Sequence, residues 1–365
     1  MKRNLKKILP QSIVNSIKSA NHKLEFHSIK IASSTRFLSD VYYFIKGDFS
    51  EEHQSVLKGR KAYYESLSDD IGESCALLRR NTHRLEKGLI MRSRRDVFAE
   101  GFILETVECY KDAITSPSLA NTEKKWATDV LDEYFKVVGS TPVTYKAKEI
   151  YTSARKDVSG LEVVTTVFPS DSASFRPYPF KNLPSSNIEF EDLKSLFISR
   201  RSVRWYQDKP VPLELLQKAA NIASFAPSAC NRQPYRFLFC NNKKKTVAIA
   251  NCAMGTAGFS ENLPAIIAIV GDLSAYPAER DRHVIYIDSS LAAMQLMLAL
   301  ETLGLSTCPI NWPDIDIREK QIRNIIDLRD YERIVMLMAV GYADPDGGIP
   351  YSQKKENNLI LKDIS

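Results

Sequence analysis

The apolar patterning predicts a layered sheet flanked by helices in the second half of the chain, preceded by a mostly helical first half. Three observations carry this. From about residue 188 onward, short apolar runs of strand length alternate with longer stretches of helical periodicity. Between residues 60 and 150 apolar residues recur at helical spacing and prolines are sparse. A Pro- and Ser-rich stretch, 168–187, separates the two patterns and favours extended, irregular backbone. The expected organisation is a helical region of unknown role over 1–167, a linker over 168–187 and a sheet-containing domain over 188–365.

In the first 45 residues Lys2, Arg3, Lys6 and Lys7 are interleaved with Leu5, Ile8, Ile13, Val14 and Ile17. A solvated helical arm is preferred here over a helix lying on a membrane surface. Further on, Phe98, Phe102, Thr106 and Tyr110 recur at a spacing near four, with Ile103 and Val107 beside them, and Trp126, Val130, Leu131, Tyr134 and Phe135 form a second stripe. After the linker, Phe190, Leu193, Leu196 and Phe197 make a helix face. Pro212 opens a helix to about Ser224. Strands are expected at Tyr235–Cys240, 264–271, 307–310 and 334–340, a long apolar helix at 284–303 closed by Gly304, and a shorter helix at 317–326.

Composition narrows the function classes. Of 365 residues, 44% are hydrophobic and 26% charged, as in ordinary folded proteins. The net charge of +6 suits anionic ligands such as phosphates, nicotinamide cofactors or lipid headgroups, and falls short of a dedicated nucleic-acid binder. Cys75, Cys109, Cys230, Cys240, Cys252 and Cys308 form no CxxC pair and no zinc spacing with histidine, so no metal site is expected and the thiols read as reduced in a cytoplasmic protein. The first ten residues lack a signal-peptide core, and no run of about 18 apolar residues marks a membrane span.

Four segments concentrate polar chemistry. Arg200, Arg201 and Arg204 with Ser202 offer guanidinium forks and a hydroxyl to a phosphate, the alternative being a solvated basic turn. Residues 226–235, with Ser228, Asn231, Gln233 and Tyr235, join a helix end to a strand; the amides suit the edge of a pyrimidine-like ring, or else cap a polar turn. The closing strand leads through Gly341 to a tail carrying Lys354 and Lys355. In the helical half, His83, Arg84 and Lys87 lie beside Gly88, a predicted helix end. With Arg80 they would occupy neighbouring turns able to bind a substrate phosphate or carboxylate, although a solvated face is preferred. Arg79, Arg80, Arg84 and Lys87 repel one another, and Glu73, Glu86 and Asp96 are the counter-charges nearest in sequence.

The run 200–206 resembles the basic opening of the nitroreductase family, and 227–235 resembles that family's Pro-Ser loop. The strand after Leu263 and Pro264, the long helix from Asp288 to Gly304 and the closing strand at 340–343 follow in the family's order, so the resemblance spans about 188–361. It implies an α+β fold with a mixed sheet flanked by helices, and a homodimer with FMN at the subunit interface. By position, Arg200, Arg201, Ser202 and Arg204 would meet the FMN phosphate, ribityl chain and pyrimidine edge. Ser228, Asn231 and Gln233 belong to the loop that approaches the flavin, Asn231 from the facing subunit. Pro309, Ile310 and Asn311 would lie near flavin N5, and Lys354 or Lys355 would return to the phosphate. Trp312 stands where the family often has a glycine, and is expected to cover the flavin face; Tyr235 replaces a tryptophan.

The implied activity is an FMN-dependent oxidoreductase that passes electrons from NAD(P)H through flavin N5 to a small-molecule acceptor, with Trp312, Tyr235, His83, Arg84 and Lys87 as substrate-side candidates. Two alternatives stand beside it: an FMN-binding or flavin-less adaptor at a membrane surface, and a specialised flavin reaction such as dehalogenation, ene reduction or oxidation without nicotinamide.

Overall fold

The computed structural model describes residues 10–67, 71–156 and 174–365. Lys2 to Lys7 and the first part of the expected linker lie outside these residues. Two compact units divide between Gln54 and Ser55, not at 168–187. The first contains α1 (Gln11–Ala32) and α2 (Arg36–Lys46). The Thr35 hydroxyl caps α2 by accepting the Leu38 amide at 3.2 Å.

In the second unit, α3 (Ser50–Glu65, entering the unit at Ser55), α4 (Ala76–Leu89), α5 (Ile103–Thr115), α6 (Asn121–Val137) and α7 (Pro142–Ala154) precede the sheet-containing part. The second predicted stripe falls on α6, whose Val130, Leu131, Tyr134 and Phe135 are buried. The first begins too early. Phe98 and Phe102 precede α5, and the chain turns at Ala99, whose φ is +66°. Helix α4 ends at Leu89, one residue past the predicted end at Gly88, where a Cβ would lie 2.5 Å from the Phe98 ring.

The remaining elements are α8 (Phe190–Ser199), α9 (Leu213–Ala223), β1 (Tyr235–Cys240), α10 (Lys243–Cys252), β2 (Ala265–Asp272), α11 (Val284–Thr302), β3 (Ser306–Asn311), α12 (Asp316–Arg323), β4 (Glu332–Gly341) and the short α13 (Asn357–Ile360). The strands form one sheet in the order β1-β2-β4-β3, antiparallel throughout. A single parallel bridge, Ser202 to Thr307, is all that makes it mixed among the described residues.

Strand alternation divides the core. Ile266, Ala268 and Val270 of β2 pack with Ile249 of α10 and Ile322 of α12. Ala265, Ile267 and Ile269 pack on the other face with Leu216 of α9 and Leu296 and Leu300 of α11. Helices therefore cover both faces of the sheet. The stretch Glu279–Thr302 reaches a mean hydropathy of 1.4, enough in length and composition for a membrane span. Its Ile285, Ala292, Leu296 and Leu300 are nevertheless buried in the domain, as in a core helix. The approach is close: a Cβ on Gly271 would fall 2.9 Å from the Ile285 Cβ.

The helical region is joined to this domain at specific points. Val56 of α3 packs with Leu273, Tyr276 and Ile285. Arg60 donates through Nε to the Pro277 carbonyl at 2.9 Å and pairs with Glu279.

Candidate functional site

The basic turn lies along the outer side of β3. The Val203 amide donates to the Thr307 carbonyl at 3.1 Å, so Thr307 presents its backbone away from β4. Strand alternation places the backbone of Pro309 and Asn311 on the same free side. Pro309 lacks an N–H and suits an edge position, whereas Asn311 brings an amide donor to it. The Ile310 side chain is buried in the core and that of Asn311 is exposed.

The Arg200 Nε and the Thr307 Oγ1 are both buried and unpartnered among the described residues. Buried polar atoms ordinarily have partners, so this pair marks a place shaped for a polar ligand. Arg201 instead donates through Nη2 to the carbonyls of Pro350 and Tyr351 at 2.5 and 2.7 Å. That brings the tail back to the basic turn; Lys354 and Lys355 follow it and are exposed. Arg204 lies 5.8 Å from the Phe259 ring. Burial pushes the Cys308 thiol pKa up against the opposing pull of Arg204 and Arg200, so Cys308 serves as a core side chain in its neutral form.

The second predicted segment is a strained loop. Cys230, Asn231 and Gln233 have φ of +53°, +51° and +50° with no glycine among them. Asp288, a carboxylate only 3% exposed on α11, accepts the Ser228 hydroxyl at 2.7 Å and the Ala229 amide at 2.9 Å. Ser228 Oγ in turn accepts the Gln233 amide at 2.8 Å. The Gln233 side chain donates to the Ser224 carbonyl at 2.8 Å and accepts from Arg79 at 3.0 Å. The polar groups of Ser228 and Gln233 thus hold the loop. Asn231 engages its backbone, the amide donating to the Ser228 carbonyl at 2.9 Å and the carbonyl accepting from Arg79, and its side-chain amide has no hydrogen bond among the described residues. The Tyr235 hydroxyl is buried and unpartnered; burial raises its pKa, as does Asp288.

Arg79 of α4 joins the helical region to this loop. Nε donates to the Asn231 carbonyl at 2.9 Å, Nη2 to Gln233, and Nη1 to the buried Glu123 carboxylate of α6 at 3.0 Å. Its guanidinium lies 5.4 Å from the Trp126 ring, and Trp126 Nε1 donates to Glu86 at 3.0 Å. His83 Nδ1 lies 3.2 Å from the same Glu86 carboxylate. His83 thus belongs to the support behind the loop, and Lys87 is exposed. The counter-charge for Arg79 is Glu123, not Glu73, Glu86 or Asp96. Asp288 did carry a sequence signal, an acid in the first turns of a predominantly apolar helix.

Trp312 also requires correction as a cover for the flavin face. It is 7% exposed within the core around Ile322 and Ile334, and its Nε1 donates to Glu319 at 2.6 Å.

The Nitroreductase family profile matches residues 198–257 and 251–342. Residues 198–342 are a nitroreductase-family domain. The helical region precedes the matched residues. A NADH dehydrogenase of Thermus thermophilus is 28% identical over 188 residues, spanning 43% of this chain and 89% of that protein. An iodotyrosine deiodinase of Thermotoga neapolitana is 27% identical over 194 residues, or 47% of this chain and 96% of the relative. Among solved structures, an FMN-dependent nitroreductase from Clostridium difficile has 25% identity and a TM-score of 0.40, covering 47% of this chain and 98% of that one.

Proposed function

We propose that the nitroreductase-family domain binds FMN along the free edge of β3 and passes electrons from NAD(P)H to a small-molecule acceptor. The observation that carries this reading is the pair of buried, unpartnered atoms, Arg200 Nε and Thr307 Oγ1, beside the bridge that fixes the basic turn to β3. Arg200 and Ser202 fit a phosphate through a charge-assisted fork and a hydroxyl. Arg201, already holding the tail, closes the phosphate end and adds its positive field. Arg204 serves the pyrimidine edge, where a cation stabilises accumulating negative charge. Bound FMN supplies two-electron chemistry at N5. The Asn311 amide, on the free edge, is the donor for that atom, and Lys354 or Lys355 screens the phosphate from the tail.

The same reading makes the active form a homodimer. Phe190, Phe197 and Ile198 of α8, Ile287 and Leu291 of α11, and Leu359, Ile360 and Leu361 of the tail are exposed large hydrophobics. A second protomer covering these surfaces buries them, and presents the free Asn231 amide to the flavin. The NADH dehydrogenase relatives support a nicotinamide donor. The deiodinase relatives support a reductive reaction on a different acceptor. The adaptor alternative loses its main ground, because Trp312 lies in the core.

An ultraviolet–visible spectrum of the purified protein, followed by anaerobic addition of NADH or NADPH, tests the proposal. Flavin bands that bleach on addition are expected. Bands that persist would replace NAD(P)H with another donor, and the lack of bands even after adding FMN would overturn the reading.

A further inference from the structure

We propose that a second basic cluster, Arg80, Arg84 and Arg232, forms a subsite for a phosphate-class oxyanion carried by the acceptor substrate. Its assignment to the acceptor rests on the oxidoreductase reading; the site itself stands on the geometry below.

Arg80 and Arg84 are one turn apart on α4 and share a helix face. The two bonds from Arg79 to Asn231 and Gln233 hold that helix against the strained loop, bringing Arg232 to the same cluster although it is far away in sequence. Each guanidinium is positioned by neutral groups. Arg80 acts on the buried Tyr63 hydroxyl, opposing the rise that burial gives its pKa. Arg84 lies 3.6 Å from the Phe102 ring and donates weakly to the Asn81 side-chain oxygen at 3.3 Å. Arg232 lies 4.8 Å from the Tyr276 ring, and its buried Nε has no partner among the described residues. Aromatic contacts fix a guanidinium plane while leaving its N–H groups for a ligand.

Guanidinium geometry supplies the ligand class. Glu105 is the carboxylate that acts on both Tyr63 and Arg84, and it already accepts the Asn81 amide at 3.0 Å. Asp288, on the Arg232 side, is likewise engaged by the Ser228 hydroxyl and the Ala229 amide. Burial lowers the Arg84 pKa, and Arg80 and Arg232 act in the same direction while Cys230 and Glu105 oppose them. Three guanidinium forks suit the several oxygens of a phosphate monoester better than the two of a carboxylate. Arg232 directly follows Asn231, the residue assigned to approach the flavin. A substrate anchored here is consequently held at the flavin loop by its anionic end.

The test is calorimetric titration of the full-length protein, as purified and supplemented with FMN, with inorganic phosphate at low ionic strength and acetate in parallel. Wild type is compared with Arg80→Gln/Arg84→Gln, Arg232→Gln and Arg200→Ala/Ser202→Ala. We expect saturable phosphate binding, weakened about tenfold or more in both glutamine variants, as loss of charge-assisted hydrogen bonds implies. Flavin absorbance should be unchanged in those variants, and the alanine variant should retain the phosphate response. Equal binding in wild type and Arg232→Gln overturns the site even if the double variant fails to fold. Acetate binding as tightly as phosphate overturns the ligand class. A chain without flavin bands that still shows the variant difference keeps the site and loses only its assignment to the acceptor of a flavin enzyme.

Discussion

Two arginine clusters flank the chemistry of this protein, and they are built in opposite ways. Arg200, Arg201 and Arg204 come from one short turn, fixed to β3 by the Val203–Thr307 hydrogen bond. Arg80, Arg84 and Arg232 come from two separate segments, brought together by Arg79. The first is a local feature of the family domain. The second exists only because the helical region docks on that domain. The difference suggests a division of labour in which the family domain holds the cofactor and the added helices select what reaches it.

Breaking the docking should have the largest effect. Arg79 and Glu123 form a buried ion pair, with side chains 16% and 3% exposed. Removing one member of such a pair costs about 3–5 kcal/mol, because the other is left uncompensated. Arg79→Ala is expected to lower the unfolding free energy by that amount, and to release Asn231 and Gln233 from their left-handed conformations. Denaturant titration with flavin absorbance as a second readout checks it. A variant as stable as wild type would show that the helices do not support the loop.

Packing inside the helical region gives the next test. Gly88→Ala improves helix propensity by about 1 kcal/mol. Its Cβ would nevertheless press the Phe98 ring, and overpacking costs about 1–3 kcal/mol. A net loss in thermal unfolding is expected; a gain would mean that Phe98 moves aside freely.

Trp312→Phe sharpens the comparison from the other side. It removes a donor to the buried Glu319, at a cost of about 1–3 kcal/mol. Acceptor preference should stay constant while stability falls, because the side chain is in the core. A changed acceptor preference would return Trp312 to the flavin face.

The smallest effect belongs to Asp272. Burial raises its carboxyl pKa and Glu332 adds to the shift. An acid whose folded pKa is raised destabilises the fold as pH rises above the ordinary aspartate range. Both Ser274 donors reach a single oxygen of Asp272, which an amide can replace. Asp272→Asn should therefore raise the melting temperature slightly at neutral pH, with the advantage disappearing below the ordinary aspartate range. A pH-independent difference would contradict the burial argument.

Much of the domain was legible in sequence because its strands are continuous apolar runs. Tyr235–Cys240 has the expected bounds, and β2 differs by one residue at each end. The α10 helix was not assigned, since its basic opening at Lys243–Lys245 hides a short buried face at Thr246, Ile249 and Ala250. The basic turn was found because its residues are contiguous. The role of Arg79 was hidden for the opposite reason: its partners Glu123, Asn231 and Gln233 are distant in sequence, and helix packing selects them over the nearer acids. The left-handed loop was also hidden, because left-handed backbone is usually signalled by glycine, and Cys230, Asn231 and Gln233 adopt it under restraint from Asp288 and Arg79.

The most direct test is the FMN dissociation constant of the two cluster variants against wild type, read by flavin fluorescence. The division of labour predicts that Arg200→Ala/Ser202→Ala weakens FMN binding about tenfold or more, while Arg80→Gln/Arg84→Gln leaves it unchanged. Equal weakening in both variants, or weakening confined to the second, would contradict it.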